Sequence, residues 1–250
     1  MVRGSGPEVR FAVLGTLRAW RDGTELHTGP PQQQALLAAL LASAGLPVSL
    51  HEMVGLLWGG TAPPTAVNVV RRHIGSVRRM IEPALPRMAP GQWLLGGGGG
   101  YRMAVDARSL DLLRFRELYT RARDEGHTGR AVERYAEALQ LWRGPAAAGI
   151  GADLRDHPLF THLDDERLTI AKEAADLTLR LGDPEPILDT LRVLTDQHRL
   201  DEPLHSRLIL ALSTSGRQAE ALDVFHALRD RLRDELGVRP SAGLSQAHQR

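Results

Sequence analysis

The 250-residue chain is 42% hydrophobic and carries 31 Lys plus Arg against 30 Asp plus Glu, a net charge of +1, which is the profile of a folded globular protein. It contains no cysteine, which excludes a disulfide framework, a thiolate zinc site and a cysteine nucleophile. No apolar run approaches the roughly 18 residues of a membrane span, and Met1 to Arg10 lacks the apolar core of a signal peptide, so a cytoplasmic protein with no membrane partner is expected.

The length allows two modest cores, and the charge divides the chain in the same sense. Residues 1–106 hold 10 Arg against 6 acids, or +4, whereas residues 107–250 hold 21 Lys plus Arg against 24 acids, or −3. The expected organisation is a disordered tail over 1–8, an α+β domain over 9–106 and an all-α domain over 107–250.

In chain order, Val9 to Leu14, Leu17 to Trp20 and Glu25 to His27 read as short strands, with a turn at Asp22-Gly23, making a small antiparallel sheet. Pro30 and Pro31 introduce a helix over Gln32 to Ala44, with Leu36, Leu37, Leu40 and Leu41 on one apolar face and Gly45 closing it. Val48 and Ser49 are extended. Ser49 then caps a second helix, Leu50 to Trp58, with Glu52 at the capping-box position.

A third helix follows over Thr65 to Ile81, introduced by Pro63-Pro64 and ended by Pro83. Val67, Val70, Ile74, Val77 and Ile81 recur at the three-and-four spacing of a buried stripe. Thr65, Asn68, Arg72, Gly75, Ser76 and Arg79 point away from it, with Arg71 and Arg78 on one flank. The stretch holds four arginines and no acid. A solvated helix normally mixes charges of both signs, so a one-sign face fits an anionic partner. Trp93 to Leu95, five glycines from Gly96 to Gly100 and Tyr101 to Val105 read as a hairpin with a loose tip. Gly100 is followed by neither Lys-Ser/Thr nor a helix, which sets a phosphate-binding P-loop aside. Three helices and then a β-hairpin describe a winged helix-turn-helix, in which the helix after the turn enters the DNA major groove.

Beyond Asp106 to Ser109 the period is helical: Leu110 to Asp124, Gly129 to Trp142, Leu159 to Leu181, Pro184 to His198, Glu202 to Ser215 and Arg217 to Leu236. Gly182 and Gly216 lie 34 residues apart, the tetratricopeptide period, and each precedes a matching unit, Ile187-Leu188-Asp189 with Leu191 and Ala221-Leu222-Asp223 with Phe225. Gly126 begins a third copy, with Ala131, Val132 and Tyr135 at the same offsets. A Gly/Ala-rich insertion around Gly144 to Pro158 separates it from the other two. Such stacked pairs either bury only one another or present a concave surface to a partner.

His157 and His162, beside Asp164, Asp165 and Glu166, miss the spacing of a helical zinc pair. Asp201, His205 and Ser206 share one helix without the strand-turn elbow that exposes a nucleophile. Neither a metal, a cofactor nor an enzyme activity is expected.

Five stretches, QQQALLAALLASAG (32–45), LLWGG (56–60), PPTAVNVVRRHIGSVRRMI (63–81), GGYRMAVDARSLDLLRFREL (99–118) and GRQAEALDVFHALRDRLRDELGVRPSAGL (216–244), resemble the Streptomyces antibiotic regulatory protein family along nearly the whole chain. The resemblance implies an OmpR-type winged helix joined to a bacterial transcriptional activation domain of tetratricopeptide-like helices. It also implies binding to direct repeats in promoter DNA, tandem self-association there, recruitment of RNA polymerase and activation of secondary-metabolite gene clusters. Carried over by position, Asn68, Val69, Arg72 and Ser76 would read bases and Arg78 and Arg79 would meet phosphates. Trp58 would donate to a backbone phosphate or plug a gap between helices. Thr65 and Arg71, outside the buried stripe, join the DNA-binding set, as does Arg102, the only charged residue near a hairpin tip that lacks an arginine for the minor groove. The chain departs from the family's pattern at Gln32 and Gln34, where arginine is common, and at Gly75-Ser76, where Ser-Arg is common. The runner-up function is therefore a protein-interaction scaffold whose winged helix has lost DNA binding.

Overall fold

The computed structural model describes residues 8–86, 89, 91–151, 154 and 156–249. Strands β1 (Val9–Ala12), β2 (Arg18–Arg21) and β3 (Thr24–Glu25) form an antiparallel sheet in that order. Its Asp22-Gly23 turn has φ of 50° and 79°, the left-handed pair that a two-residue hairpin demands. Of the expected tail only Glu8 is described, and its N–H donates to the Asp22 carboxylate at 3.0 Å.

Helix α1 (Pro31–Ala42) carries Pro at its start and buries Ala35, Leu36, Leu37, Ala38, Ala39, Leu40 and Leu41. The single apolar face expected for it is thus wrong. α1 is buried all round because two further helices and a strand pack on it: α2 (Leu50–Trp58), α3 (Ala66–Ile81) and β6 (Gly100–Met103). At the start of α2 the expected capping box is formed. Ser49 Oγ accepts from the Glu52 N–H at 3.1 Å, and the Glu52 carboxylate accepts from the Ser49 N–H at 2.7 Å.

A second antiparallel sheet runs in the order β4 (Val48–Ser49), β6, β5 (Leu94–Gly97). The five glycines do not make a loose tip. Gly96 and Gly97 end β5, Gly98 and Gly99 form the turn with φ of 59° and 82°, and Gly100 begins β6. A Cβ at Gly100 would overlap the carbonyl oxygen of Val48, so this glycine is what lets β4 approach.

The remaining described helices are α4 (Asp111–Asp124), α5 (Gly129–Gln140), α6 (Pro158–Leu181), α7 (Leu188–Gln197) after a 3₁₀ turn, α8 (Glu202–Thr214), α9 (Gln218–Arg231), which continues into one π turn, and α10 (Ala242–Gln249). Helix α10 was not expected from the sequence. Its only buried apolar residues are Leu244 and Ala247, and it exists by packing on α8. The repeat is visible in the backbone. Gly126, Gly182 and Gly216 have φ of 67°, 75° and 74°. The last two close equivalent turns, through Asp183 N–H to Thr178 O at 3.1 Å and Arg217 N–H to Leu212 O at 2.8 Å. Ala131, Val132 and Tyr135 are buried as Ile187, Leu188 and Leu191 are, and as Ala221 and Phe225 are, with Leu222 the exception at 43% exposed.

The chain divides into two compact units, one of residues up to Glu117 together with Leu141–Asp165, the other of Leu118–Gln140 together with residues from Glu166 onward. In the first unit the Gly/Ala-rich segment pairs with the chain between β1 and β2. The N–H groups of Arg143, Ala147 and Ala148 donate to the carbonyls of Leu14, Val13 and Gly15 at 2.9, 2.8 and 2.9 Å, and Trp142 packs edge-on against Phe115 at 5.5 Å. The Asp111 carboxylate accepts from Val13 N–H at 3.0 Å and Leu14 N–H at 3.1 Å. Burial pushes this carboxyl above its ordinary value, although the N–H groups of Val13, Leu14 and Leu112 and the charge of Arg143 oppose the shift. In the second unit Tyr119 and Tyr135 both donate to Glu173, at 3.1 and 3.3 Å. Burial and the Glu173 charge push the Tyr135 hydroxyl up to about 12.

Asp111→Ala strips two buried N–H groups of their acceptor, each worth about 1–3 kcal/mol. It should destabilise the first unit by about 3 kcal/mol, measured as a lowered midpoint in urea at an unchanged slope.

Candidate nucleic-acid interface

Helix α3 is placed by its inner face. Ala66, Val70, His73, Ile74, Val77 and Ile81 are buried. This stripe is rotated from the expected one: Val67 stands 37% exposed, and His73 occupies the inner position instead. The reason is polar. His73 Nε2 lies 3.3 Å from Gln32 Oε1 on α1, and since the amide oxygen only accepts, the imidazole donates. Burial first, and then the charge of Arg72, holds His73 below its ordinary pKa, so it sits in the core as the neutral ring.

With that orientation fixed, Thr65, Val67, Asn68, Arg71, Arg72 and Arg79 are exposed. Arg71, Arg72 and Arg79 have no ion pair among the described residues. Val69 and Ser76, expected to read bases, are half-buried at the flank. Ser76 Oγ donates to the Arg72 carbonyl at 3.2 Å and accepts from Arg79 Nη2 at 3.3 Å, which orients Arg79. Arg78 departs from expectation. It is half-buried, and its Nη2 donates to the Leu94 carbonyl at 3.1 Å, so it ties β5 to α3 and does not present its charge outward. Arg102 is exposed on β6, opposite Leu95. Trp58 is half-buried at the end of α2, where its carbonyl accepts from Thr61 Oγ1 at 3.1 Å.

The residue that sequence periodicity misassigned is Val67. Ala66 and His73 lie at the far edge of the stripe from Val67, about 100–120° away at about 100° per residue, and a stripe widened to include them leaves Val67 at its border beside Arg71. Gln34 donates to the Gly29 carbonyl at 2.9 Å and secures the entry to α1.

The other constellations are absorbed by structure. Asp201 caps α8 through the Leu204 N–H at 2.8 Å and pairs with Lys172 at 2.6 Å. His205 Nδ1 lies 2.9 Å from the Asp201 carbonyl, and Ser206 donates to the Glu202 carbonyl at 2.9 Å. Asp164 accepts from the Ala146 N–H at 2.9 Å. Among the described residues no group of three His, Asp or Glu side chains has a metal-holding arrangement, and no helix is long and apolar enough to cross a membrane.

Residues 110–250 match the bacterial transcriptional activator domain. The chain is 33% identical to the regulatory protein DnrI of Streptomyces peucetius, over 94% of this chain and 89% of DnrI. It is 38% identical to the regulatory protein AfsR of Streptomyces coelicolor over 97% of this chain, which spans only 24% of AfsR. Among solved structures it is similar to Mycobacterium tuberculosis EmbR in complex with a low-affinity phosphopeptide, with a TM-score of 0.73 and 28% identity over 98% of this chain and 65% of that one.

A histidine whose folded pKa is depressed binds fewer protons folded than unfolded, so its contribution to stability is lost as pH falls through the unfolded value, ordinarily 6.5. Both His73 and His205 are depressed by burial. Thermal unfolding should therefore move to lower temperature below about pH 6.5, and His73→Leu should reduce that pH dependence while leaving the share due to His205.

Proposed function

Since the chain belongs to the Streptomyces antibiotic regulatory protein family of transcriptional regulators, with the bacterial transcriptional activator domain at residues 110–250, we propose that it is a sequence-specific DNA-binding activator of a secondary-metabolite gene cluster. In this reading, residues 9–106 are an OmpR-type winged helix-turn-helix, with α3 in the major groove and the β5–β6 hairpin as the wing. Residues 107–250 are the tetratricopeptide-like activating part, which recruits RNA polymerase. Copies bind in tandem to direct repeats in promoter DNA.

The observation that carries this proposal is the outward face of α3, where Arg71, Arg72 and Arg79 stand exposed with no acidic partner among the described residues. Three like charges on one helix face repel one another and are relieved by an anionic surface. Arg72 and Asn68 occupy the middle of that face. A guanidinium there can fork onto guanine O6 and N7, and an amide onto adenine N6 and N7. Val67 adds an apolar contact of the kind that thymine methyls accept. Arg71, on the flank of that face, and Arg79, in the last turn of the helix, suit phosphates. Arg78 is left out of this set because its guanidinium is committed to Leu94.

The same face predicts how the variants differ. Arg72→Ala should flatten preference for the operator over scrambled DNA by about 1–3 kcal/mol, whereas Arg79→Ala should weaken both and lower the salt slope by about one. Arg78→Ala should lower the unfolding midpoint and leave the salt slope of the folded protein unchanged. Equal operator preference in wild type and a folded Arg72→Ala variant, in gel shifts on the protein's own upstream region, would count against base reading by α3.

The tandem arrangement has its own test. Repeats phased near one helical turn, about 10–11 base pairs, put both copies on one face of the duplex. Inserting about 5 base pairs between them moves the second copy to the opposite face. Cooperative binding in a footprint should then be lost, and its survival would overturn the tandem model.

A further inference from the structure

Within the first unit, a cleft of about 400 Å³ opens where β1 and β2 meet the chain before α4 and the segment that begins at Leu141. Its apolar walls include Phe11, Trp20 and Leu141, and its cations are Arg10, Arg108, Arg143 and Arg114. The one carboxylate that lines it, Asp111, is already committed to the Val13 and Leu14 N–H groups. Arg114 is paired with Glu117 at 3.4 Å, and Arg10 has an exposed pair with Glu8 at 3.3 Å. Arg108 and Arg143 are exposed and have no ion pair among the described residues. Neither belongs to α3, and no residue of α3 lines the cleft.

We propose that this cleft is a binding site for an organic phosphate carrying a flat apolar ring, the chemistry of a nucleotide. Volume and lining together select that class. A cavity of this size lies within the range that holds small organic ligands, and it is far larger than an inorganic phosphate requires. Guanidinium groups fork onto phosphate oxygens more effectively than ammonium groups do, and every uncommitted cation of the cleft is an arginine. Trp20 and Leu141 provide an apolar surface for a ring, while Arg108 and Arg143 supply two guanidiniums from segments 35 residues apart in sequence. A ligand held by both would join the chain before α4 to the segment that begins at Leu141. It would stabilise the folded unit by mass action without touching α3.

Calorimetric titration of the full chain with ADP, GDP, CDP and UDP, and with pyrophosphate and adenosine as partial ligands, tests the proposal. At least one nucleoside diphosphate should saturate with a Kd below about 1 mM and raise the thermal unfolding midpoint. Pyrophosphate and adenosine should each bind at least about tenfold more weakly. The double variant Arg108→Ala with Arg143→Ala, and separately Trp20→Leu, should raise the Kd about tenfold or more, while Arg72→Ala should leave it unchanged. If the double variant loses its cooperative unfolding transition, Arg143→Gln alone carries the same expectation. Failure of all four diphosphates to bind overturns the proposal. So does pyrophosphate binding as tightly as the diphosphate, which means an inorganic-anion site, and so does loss of binding in Arg72→Ala rather than in the cleft variants.

Discussion

Asp111 stands on the first turn of α4, yet its carboxylate is spent on the Val13 N–H, 98 residues earlier, and on the Leu14 N–H beside it. An acid at a helix start usually serves its own helix, and Asp111 does so through the Leu112 N–H at 2.8 Å. The two distant donors are the larger commitment. They belong to the loop leaving β1, where no neighbouring strand takes them, and a buried N–H without an acceptor is costly. One side chain thereby satisfies backbone that neither sheet nor helix could. The carboxyl is held above its ordinary range by burial, so its charge is tolerated only because these donors surround it.

The same loop completes its pairing with Arg143, Ala147 and Ala148. This explains why the helical repeat is interrupted where it is. The Gly/Ala-rich segment is a strip of backbone laid along the β1–β2 connection, and its small residues let that backbone come close. Gly15 shows the constraint, since a Cβ there would lie 3.1 Å from Arg143 Cβ, tighter than side chains ordinarily approach. Charge and period change near residue 106, whereas the first compact unit runs on through Glu117 and takes in 141–165.

For α3 the deciding interactions are two polar ties, His73 to Gln32 on one side and Arg78 to Leu94 on the other. Hydrophobic burial alone leaves a helix free to roll by a fraction of a turn, because neighbouring stripes of similar apolarity compete. A directional hydrogen bond from the inner face removes that freedom. The exposed set follows from it, and the proposed division of labour among Arg71, Arg72 and Arg79 follows from the exposed set. Gln32 is thus part of the packing that aims the helix.

The sequence by itself determined whatever rests on local rules. The capping box at Ser49, the Asp22-Gly23 turn, the amphipathic third helix with its surplus of arginine and the 34-residue repeat of glycine C-caps were all legible, because each is set by residues within a few positions of one another. It also carried the resemblance to the family to which the chain belongs. Only the tertiary structure decided the rest. It turned Val67 outward and His73 inward, buried α1 on all sides, converted the five glycines into two strand ends and a tight turn, stabilised α10 through Leu244 and Ala247, and assigned Arg78 to the hairpin and Asp111 to a distant loop. Each of these depends on a partner remote in sequence. A hydrogen bond or a packed face of that kind leaves no periodic trace in the chain that makes it.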